Sequence, residues 1–318
     1  MTHPESKVCK VLVATDFSEP AGAALGRALW LADNVGAEVT VAHVVEDAAG
    51  AVPATSFEAH WSVPPAEVQK AERKLRCQSE ERLTAWVAPQ RGPNRKLRTE
   101  TLVGSPFIEI IHAVQRGGYD LVVAGTRGLS GFHRFLVGST AERLVRKCPC
   151  PVWIVKPGHE WPMRSILVPV DYSVVSGKSL RLAALLARLA DCPLTVLHSF
   201  NFSAEKPGPL PTSVGLDISG QRREVRKIAA KQLDNFLTKH LAAGTKVQPR
   251  LGIGTPWRMI NALARRIDTS LIVMGSVGRS GLPGMLIGNT AEKVLRSCDR
   301  SLLTVKPDDF LSPVQPSR

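Results

Sequence analysis

The stretch GTRGLSGFHRFLVGSTAE occupies residues 125–142, and the stretch GSVGRSGLPGMLIGNTAE occupies residues 275–292. Both place glycines at the spacing Gly-x2-Gly-x9-Gly, and in both a single residue separates the last glycine from Thr-Ala-Glu. The side chains between the glycines largely differ. A spacing that returns 150 positions later predicts that the chain contains one structural unit twice.

The repeat extends over nearly the whole chain. The offset between matching positions is 155 in the first part of the unit and 150 afterwards, as expected when a surface loop gains or loses a few residues. Two copies are too few for a solenoid, so the pattern indicates a duplicated domain. The matching pairs include Asp16 and Asp171, His43 and His198, Pro106 and Pro256, and Lys156 and Lys306.

Within each copy, short apolar segments alternate with longer segments of helical periodicity. This alternation predicts βαβ units and a parallel sheet covered on both faces. We therefore predict an α/β fold with two tandem, open-twisted parallel sheets of five strands and helices on both faces. If the strand order is 3-2-1-4-5, strands one and four are neighbours. In the first copy the predicted strands are 8–14, 39–45, 97–103, 121–124 and 152–155, and the predicted helices are 20–34, 66–88, 106–116 and 140–147.

Proline and glycine mark the boundary between the copies at PGHEWPM, residues 157–163. We predict a first domain over residues 1–158, a second over 164–308 and a C-terminal tail over 309–318. Segments 46–65 and 201–220 are rich in Pro, Gly and Ser, which favours long loops that could cover a ligand.

Composition excludes several classes of protein. The chain has 318 residues, 44% of them hydrophobic, yet no uncharged apolar run of ~18 residues that would span a bilayer. No apolar signal-peptide segment precedes the first predicted strand, so we expect the cytoplasm. Six cysteines without disulfide or CxxC spacing predict free thiols and no metal site.

The net charge of +13 is unevenly distributed. Residues 1–160 hold 19 Lys/Arg against 17 Asp/Glu, whereas residues 161–318 hold 22 against 11. The asymmetry indicates either an ordinary solvated surface or an anionic partner for the second half.

Polar and glycine residues follow two strands that the predicted order makes neighbours. Asp16 ends the first strand and Gly125 follows the fourth, so both would line the crevice where the strand order reverses. Backbone N–H groups of the glycine loop, with Ser139 and Thr140 opening the next helix, favour binding of phosphate oxygens. Asp16 could accept hydrogen bonds from the sugar or base of a nucleotide. Neither a Walker GKS/GKT nor a strand-associated GxGxxG is present.

The glycine spacing, the early strand ending in Asp and the mid-unit Gly-x-Pro resemble the universal stress protein family, in its tandem bacterial form. The resemblance implies an adenine nucleotide alpha hydrolase-like fold and ATP as cofactor, with Mg²⁺ held chiefly by the phosphates. It implies that Asp16 and the backbone near Val44 hold the adenosine, and that the other matching positions hold the phosphates. The implied ATP-binding positions in the first unit are Thr15, Asp16, Val44, Gly125, Thr126, Arg127, Gly128, Gly138, Ser139 and Thr140.

The second unit departs from this pattern in places. Val170 stands for Thr15, Ser199 for Val44 and Asn289 for Ser139, so we expect a weaker second site. An asparagine amide can still donate to phosphate. The corresponding positions are Asp171, Ser199, Gly275, Ser276, Gly278, Arg279, Gly288, Asn289 and Thr290.

Two other functions remain open. His43, His112 and His133 are candidate acid–base groups, but no paired carboxylates, GxSxG or metal-spaced histidines accompany them, so no catalytic residues are assigned and slow ATP hydrolysis is the enzymatic alternative. The helix predicted over residues 221–237 has an apolar face and many basic residues, which is usual for a packed helix but also suits an adaptor for a protein, a membrane surface or a nucleic acid.

The last strand of each unit, at 151–156 and 301–306, is apolar and should lie at a sheet edge. Exposed apolar edges tend to pair. We expect the two to face each other with Ile154 near Thr304, so that the two domains form an intramolecular pseudo-dimer. The alternative is two linked domains that each pair with a second molecule in a homodimer. The expected function is that of an ATP-dependent regulator in the stress response.

Overall fold

The computed structural model describes residues 8–46, 65–92, 95–126, 138–156, 161–200, 218–278 and 286–316. Contacts divide the chain into two units. One contains residues 8–156 together with the C-terminal segment from residue 308 onward, and the other contains residues 161–307.

The first unit is a parallel sheet in which β1 pairs with both β2 and β4. Adding the pairs β2–β3 and β4–β5 gives the order β3-β2-β1-β4-β5. The strands are β1 (Lys10–Thr15), β2 (Glu38–Val45), β3 (Leu97–Val103), β4 (Leu121–Gly125) and β5 (Val152–Val155). The helices are α1 (Glu19–Val35), α2 (Pro65–Val87), α3 (Pro106–Gly117) and α4 (Ser139–Lys147), with a 3-10 turn at Ala88–Gln90.

The second unit repeats this arrangement. Its first strand, β6, pairs with β7 and β9, which gives the order β8-β7-β6-β9-β10. The strands are β6 (Ile166–Val170), β7 (Leu194–Phe200), β8 (Val247–Ile253), β9 (Leu271–Gly275) and β10 (Ser301–Val305). The helices are α5 (Val174–Leu189), α6 (Ile218–His240), α7 (Pro256–Arg266) and α8 (Asn289–Ser297). The predicted α/β fold and strand order are confirmed in both units.

The sequence explains why these elements form where they do. Consecutive residues of β1, Val11 to Val13, are all fully buried, as in a strand covered on both faces. Helix α1 starts at Ser18, whose hydroxyl accepts from the Ala21 N–H at 3.4 Å, and it ends at Gly36 in the left-handed conformation (φ 72°). Strand β1 begins two residues later than predicted, because its pairing with β2 starts at Lys10 opposite Glu38.

All six cysteines are free thiols, as predicted. Cys148 and Cys150 lie 3.5 Å apart (Sγ–Sγ) in the core. The hydrogen bond to Cys148 and burial raise the pKa of the Cys150 thiol well above its ordinary value, and burial raises the pKa of Cys192 to about 11. The Cys150 and Cys192 thiols are therefore protonated and weakly reactive at neutral pH. Among the described residues, no helix is both long and apolar enough to cross a membrane.

The C-terminal segment packs on α3 of the first unit. The Gln115 side chain donates to the Val314 carbonyl at 3.0 Å, and His112 Nε2 lies 3.0 Å from the Gln315 carbonyl oxygen. His112 Nδ1 lies 3.3 Å from the Glu109 carboxylate. This histidine therefore holds the tail, a role that its position in the sequence did not indicate.

Replacing both His112 and Gln115 with alanine should release the tail. Two hydrogen bonds contribute roughly 2 kcal/mol together, so amide exchange over residues 312–316 should accelerate at least about tenfold. Hydrogen exchange measured by mass spectrometry checks this. Thr238→Ala is the control, because that hydroxyl bonds only to its own helix, at Asp234. Unchanged exchange in the double variant would contradict the assignment.

Gly125 is the point at which β4 meets the start of α1. A Cβ at this position would lie 2.7 Å from the Pro20 carbonyl carbon and 2.9 Å from the Ala21 nitrogen. Both are backbone atoms, so the helix would have to shift to accept any side chain. The glycine therefore allows close packing of α1 on the end of the strand.

Gly125→Ala should lower the free energy of unfolding by about 1–3 kcal/mol, as overpacking does in other cores. Gly26→Ala is the matched control, because it lies in α1 with open space around its Cβ position, and it should gain up to about 1 kcal/mol. Urea unfolding followed by circular dichroism distinguishes the two. Equal stabilities would show that the close approach carries no cost.

Candidate functional site

The first part of the candidate site is the turn between β1 and α1. Asp16 is exposed, and its Oδ1 accepts hydrogen bonds from both the N–H (3.0 Å) and the hydroxyl of Ser18. The buried Thr15 accepts from the Phe17 N–H at 3.0 Å through Oγ1. In the second unit, Asp171 Oδ1 accepts from the Ser173 N–H at 3.1 Å. One carboxylate oxygen is thus used to orient each aspartate within its own turn.

The residue after each aspartate is an aromatic in the left-handed conformation, Phe17 (φ 66°) and Tyr172 (φ 65°). This conformation is unfavourable for a bulky residue, so the surrounding packing must hold it in place. The Phe17 ring centroid lies 4.4 Å from that of His43, and the Arg82 guanidinium lies 4.1 Å above the Phe17 ring. Tyr172 stacks on His198 with centroids 4.2 Å apart.

His43 and His198 connect the second strand of each unit to this turn. Nδ1 of His43 lies 2.9 Å from the Thr15 carbonyl oxygen, and Nδ1 of His198 lies 2.9 Å from the Val170 carbonyl oxygen. A carbonyl only accepts, so Nδ1 carries the proton in both rings. His43 therefore helps to hold the aspartate turn. His133, the third candidate, lies outside the described residues.

The second part of the site is the glycine loop, which a backbone hydrogen bond closes in each unit. The Gly138 N–H donates to the Thr126 carbonyl at 2.6 Å, and the Gly288 N–H donates to the Ser276 carbonyl at 2.7 Å. Each final glycine is extended and caps the next helix without a side-chain bond. The loop residues Arg127, Gly128 and Arg279, which were predicted to bind phosphate, lie outside the described residues.

The first two residues of α4 and the first two of α8 show the same pattern of exposure. Ser139 and Asn289 are exposed, while Thr140 and Thr290 are half-buried. The first N–H groups of a helix have no partner within the helix, and they favour anions. The starts of α4 and α8 are therefore suited to an anionic ligand.

In the second unit the two parts of the site touch. A Cβ on Gly278 would lie 2.5 Å from Asp171 Oδ2, and a Cβ on Gly288 would lie 3.5 Å from the Ser276 carbonyl oxygen. The structure thus brings Asp171, Ser276, Gly278 and Gly288 together in one crevice. In the first unit it places Asp16 and Gly125 at the ends of the paired strands β1 and β4.

Val44 and Ser199 occupy corresponding places near the ends of β2 and β7. Both are half-buried, and each follows the histidine that bonds to the aspartate turn. Each lies on the strand that pairs with the strand leading into the aspartate turn. Gly275, like Gly125, is the last residue of its strand, and a Cβ there would lie 2.9 Å from Val175 Cγ1.

Sequence reasoning missed the contacts between the glycine loop of the second unit and the end of β10. The Ser276 N–H donates to the Val305 carbonyl at 2.8 Å. The Lys306 ammonium lies 3.4 Å from the Leu286 carbonyl oxygen. The only signal in the sequence was the repeated Val-Lys-Pro that ends each unit.

The chain was compared with known proteins. It is 27% identical to Universal stress protein E of Escherichia coli strain K12, over 96% of both chains. A structure of a functionally unknown protein from Pseudomonas aeruginosa PAO1 matches with a TM-score of 0.65 and 20% identity, over 96% of this chain and 95% of that one. A universal stress protein from Archaeoglobus fulgidus DSM 4304 matches with a TM-score of 0.56 and 21% identity, over 96% and 99% of the chains. At these identities the structural matches support the fold alone.

The family model for the universal stress protein family matches twice, over residues 8–156 and 162–306. The two matches together span almost the whole chain and coincide with the two repeated sheets. The chain therefore belongs to the universal stress protein family, with two copies of the family domain in tandem.

Proposed function

We propose that the protein is a cytoplasmic regulator of the stress response that binds ATP or another adenine nucleotide at the crevice of each unit. The observation that carries this proposal is the contact of Gly278 with Asp171 beside a loop closed by the Gly288–Ser276 hydrogen bond. This contact places an oriented carboxylate next to the backbone of the glycine loop. Such an arrangement suits a ligand that has both hydroxyls and phosphates.

Each residue class has a separate part in this proposal. The aspartate accepts from ribose hydroxyls or the base. The backbone beside Val44 and Ser199 faces the adenine. Amides of the glycine loop and the helix start donate to phosphate oxygens. Mg²⁺ that enters with the nucleotide takes its ligands chiefly from the phosphates.

The proposed role is binding, with slow hydrolysis as the enzymatic alternative. His43 donates through Nδ1 to the Thr15 carbonyl and packs on Phe17, so its described contacts are those of a residue that holds the aspartate turn. Loss of ATP turnover in His133→Ala with binding retained would favour the hydrolase.

Equilibrium dialysis with labelled ATP, on protein stripped of bound nucleotide, tests the proposal. Asp16→Ala should weaken one class of site about 10–100-fold, as loss of hydrogen bonds to a charged group does. Asp171→Ala should affect only the weaker class. Asp234→Ala, an exposed aspartate on α6, is the control and should bind as the unmodified chain does. No binding at millimolar ATP would contradict the proposal and favour the adaptor.

We also propose that the two domains pair within the chain through β5 and β10, the last strands in the order of their units. The support is the apolar sequence of both strands, together with the high effective concentration that a short linker gives to pairing within one chain. An experimental structure or cross-linking should find Ile154 near Thr304 in a single molecule. A concentration-dependent homodimer with the two residues far apart in each chain would contradict it.

A further inference from the structure

Lys306 is a buried lysine at the end of the last strand of the second unit. It follows β10 directly, and only 4% of its surface is exposed. Lysine is almost never buried to this extent unless its ammonium has acceptors, because removing the charge from water is costly. One acceptor is the Leu286 carbonyl, 3.4 Å from Nζ.

Leu286 lies two residues before Gly288, in the arm that closes the glycine loop. The opening arm is bound to the same strand end, because the Ser276 N–H donates to the Val305 carbonyl at 2.8 Å. The Gly288–Ser276 hydrogen bond joins the two arms. Two adjacent residues, Val305 and Lys306, therefore hold both arms of the loop on which phosphates are expected.

The Ser276–Val305 and Gly288–Ser276 hydrogen bonds join backbone atoms, whereas Lys306 contributes a side chain with a positive charge. Ser276, the residue that opens the loop, is fully buried. A charge close to such a loop in a partly dry site interacts with an anion far more strongly than an exposed charge does. Helix-start amides supply only partial charges, so they discriminate less by phosphate number than a full charge does.

We propose that Lys306 is a positioning residue of the second nucleotide site, which fixes the closing arm of the glycine loop and makes the site prefer ligands with more phosphates. This inference rests on the proposed function. Lys156, which is also buried at the end of β5, has the corresponding position in the first unit.

Three substitutions separate the two parts of this role. Lys306→Arg keeps the charge, Lys306→Gln removes the charge but keeps a donor, and Lys306→Met removes both. The variants are made in the Asp16→Ala background, so that the second site dominates binding. Lys239→Gln, an exposed lysine on α6, is the matched control.

The first measurement compares affinities for ATP and for adenosine. Lys306→Gln should weaken ATP binding about tenfold and adenosine binding less than twofold, while Lys306→Arg and the Lys239→Gln control keep the preference for ATP. A residue with a purely structural role would change both affinities by the same factor. Equal losses for ATP and adenosine, or no loss, would overturn the phosphate preference.

The second measurement needs no nucleotide. Hydrogen exchange of the amides at 286–290 should be faster in Lys306→Met than in the unmodified chain, with equal melting temperatures confirming that both are folded. Unchanged exchange would overturn the positioning role. If the unmodified chain binds neither ATP nor adenosine, the proposed function fails and the phosphate preference fails with it, while faster exchange still supports the anchoring of the loop by Lys306.

Discussion

The pairing of the first and fourth strands of each unit is the constraint on which the site depends. In the first unit, β1 and β4 are in parallel register from Val11 opposite Leu121 to Ala14 opposite Ala124. The two strands therefore end side by side at the same edge of the sheet, although more than 100 residues separate them in sequence. One continues into the aspartate turn and the other into the glycine loop. Any shift of this register would separate the carboxylate from the loop.

Most of the fold followed from the sequence because its determinants are local. Periodicity is contained within a few residues, and the observed elements match it to within a few positions. The strand order is not a local property, because it depends on which strands remote in sequence pair. The start of β1 was misjudged because Val8 has the character of a strand residue, yet β2 offers a partner only from Glu38 onward.

Less of the candidate site than of the fold could be predicted from the sequence. Spacing indicated which glycines and aspartates belong together, and the second unit brings Asp171 and Gly278 into contact. Spacing could not indicate that His112 binds the C-terminal tail, since its partner Gln315 lies 203 residues away. Nor could it indicate that Lys306 contacts Leu286. Such contacts depend on the three-dimensional packing of remote segments, which no local pattern encodes. The nucleotide itself remains a prediction.

The closing hydrogen bonds explain why the two glycine loops share a spacing but not a set of side chains. In each unit a main-chain hydrogen bond joins the two ends of the loop, from Gly138 to Thr126 and from Gly288 to Ser276. Main-chain bonds require a given number of residues and glycine where atoms crowd, as at Gly278 against Asp171. These bonds do not restrict the identity of the side chains between the two ends of the loop. Duplicated copies can therefore change those side chains, and with them the ligand or partner, while the frame that positions the site is kept.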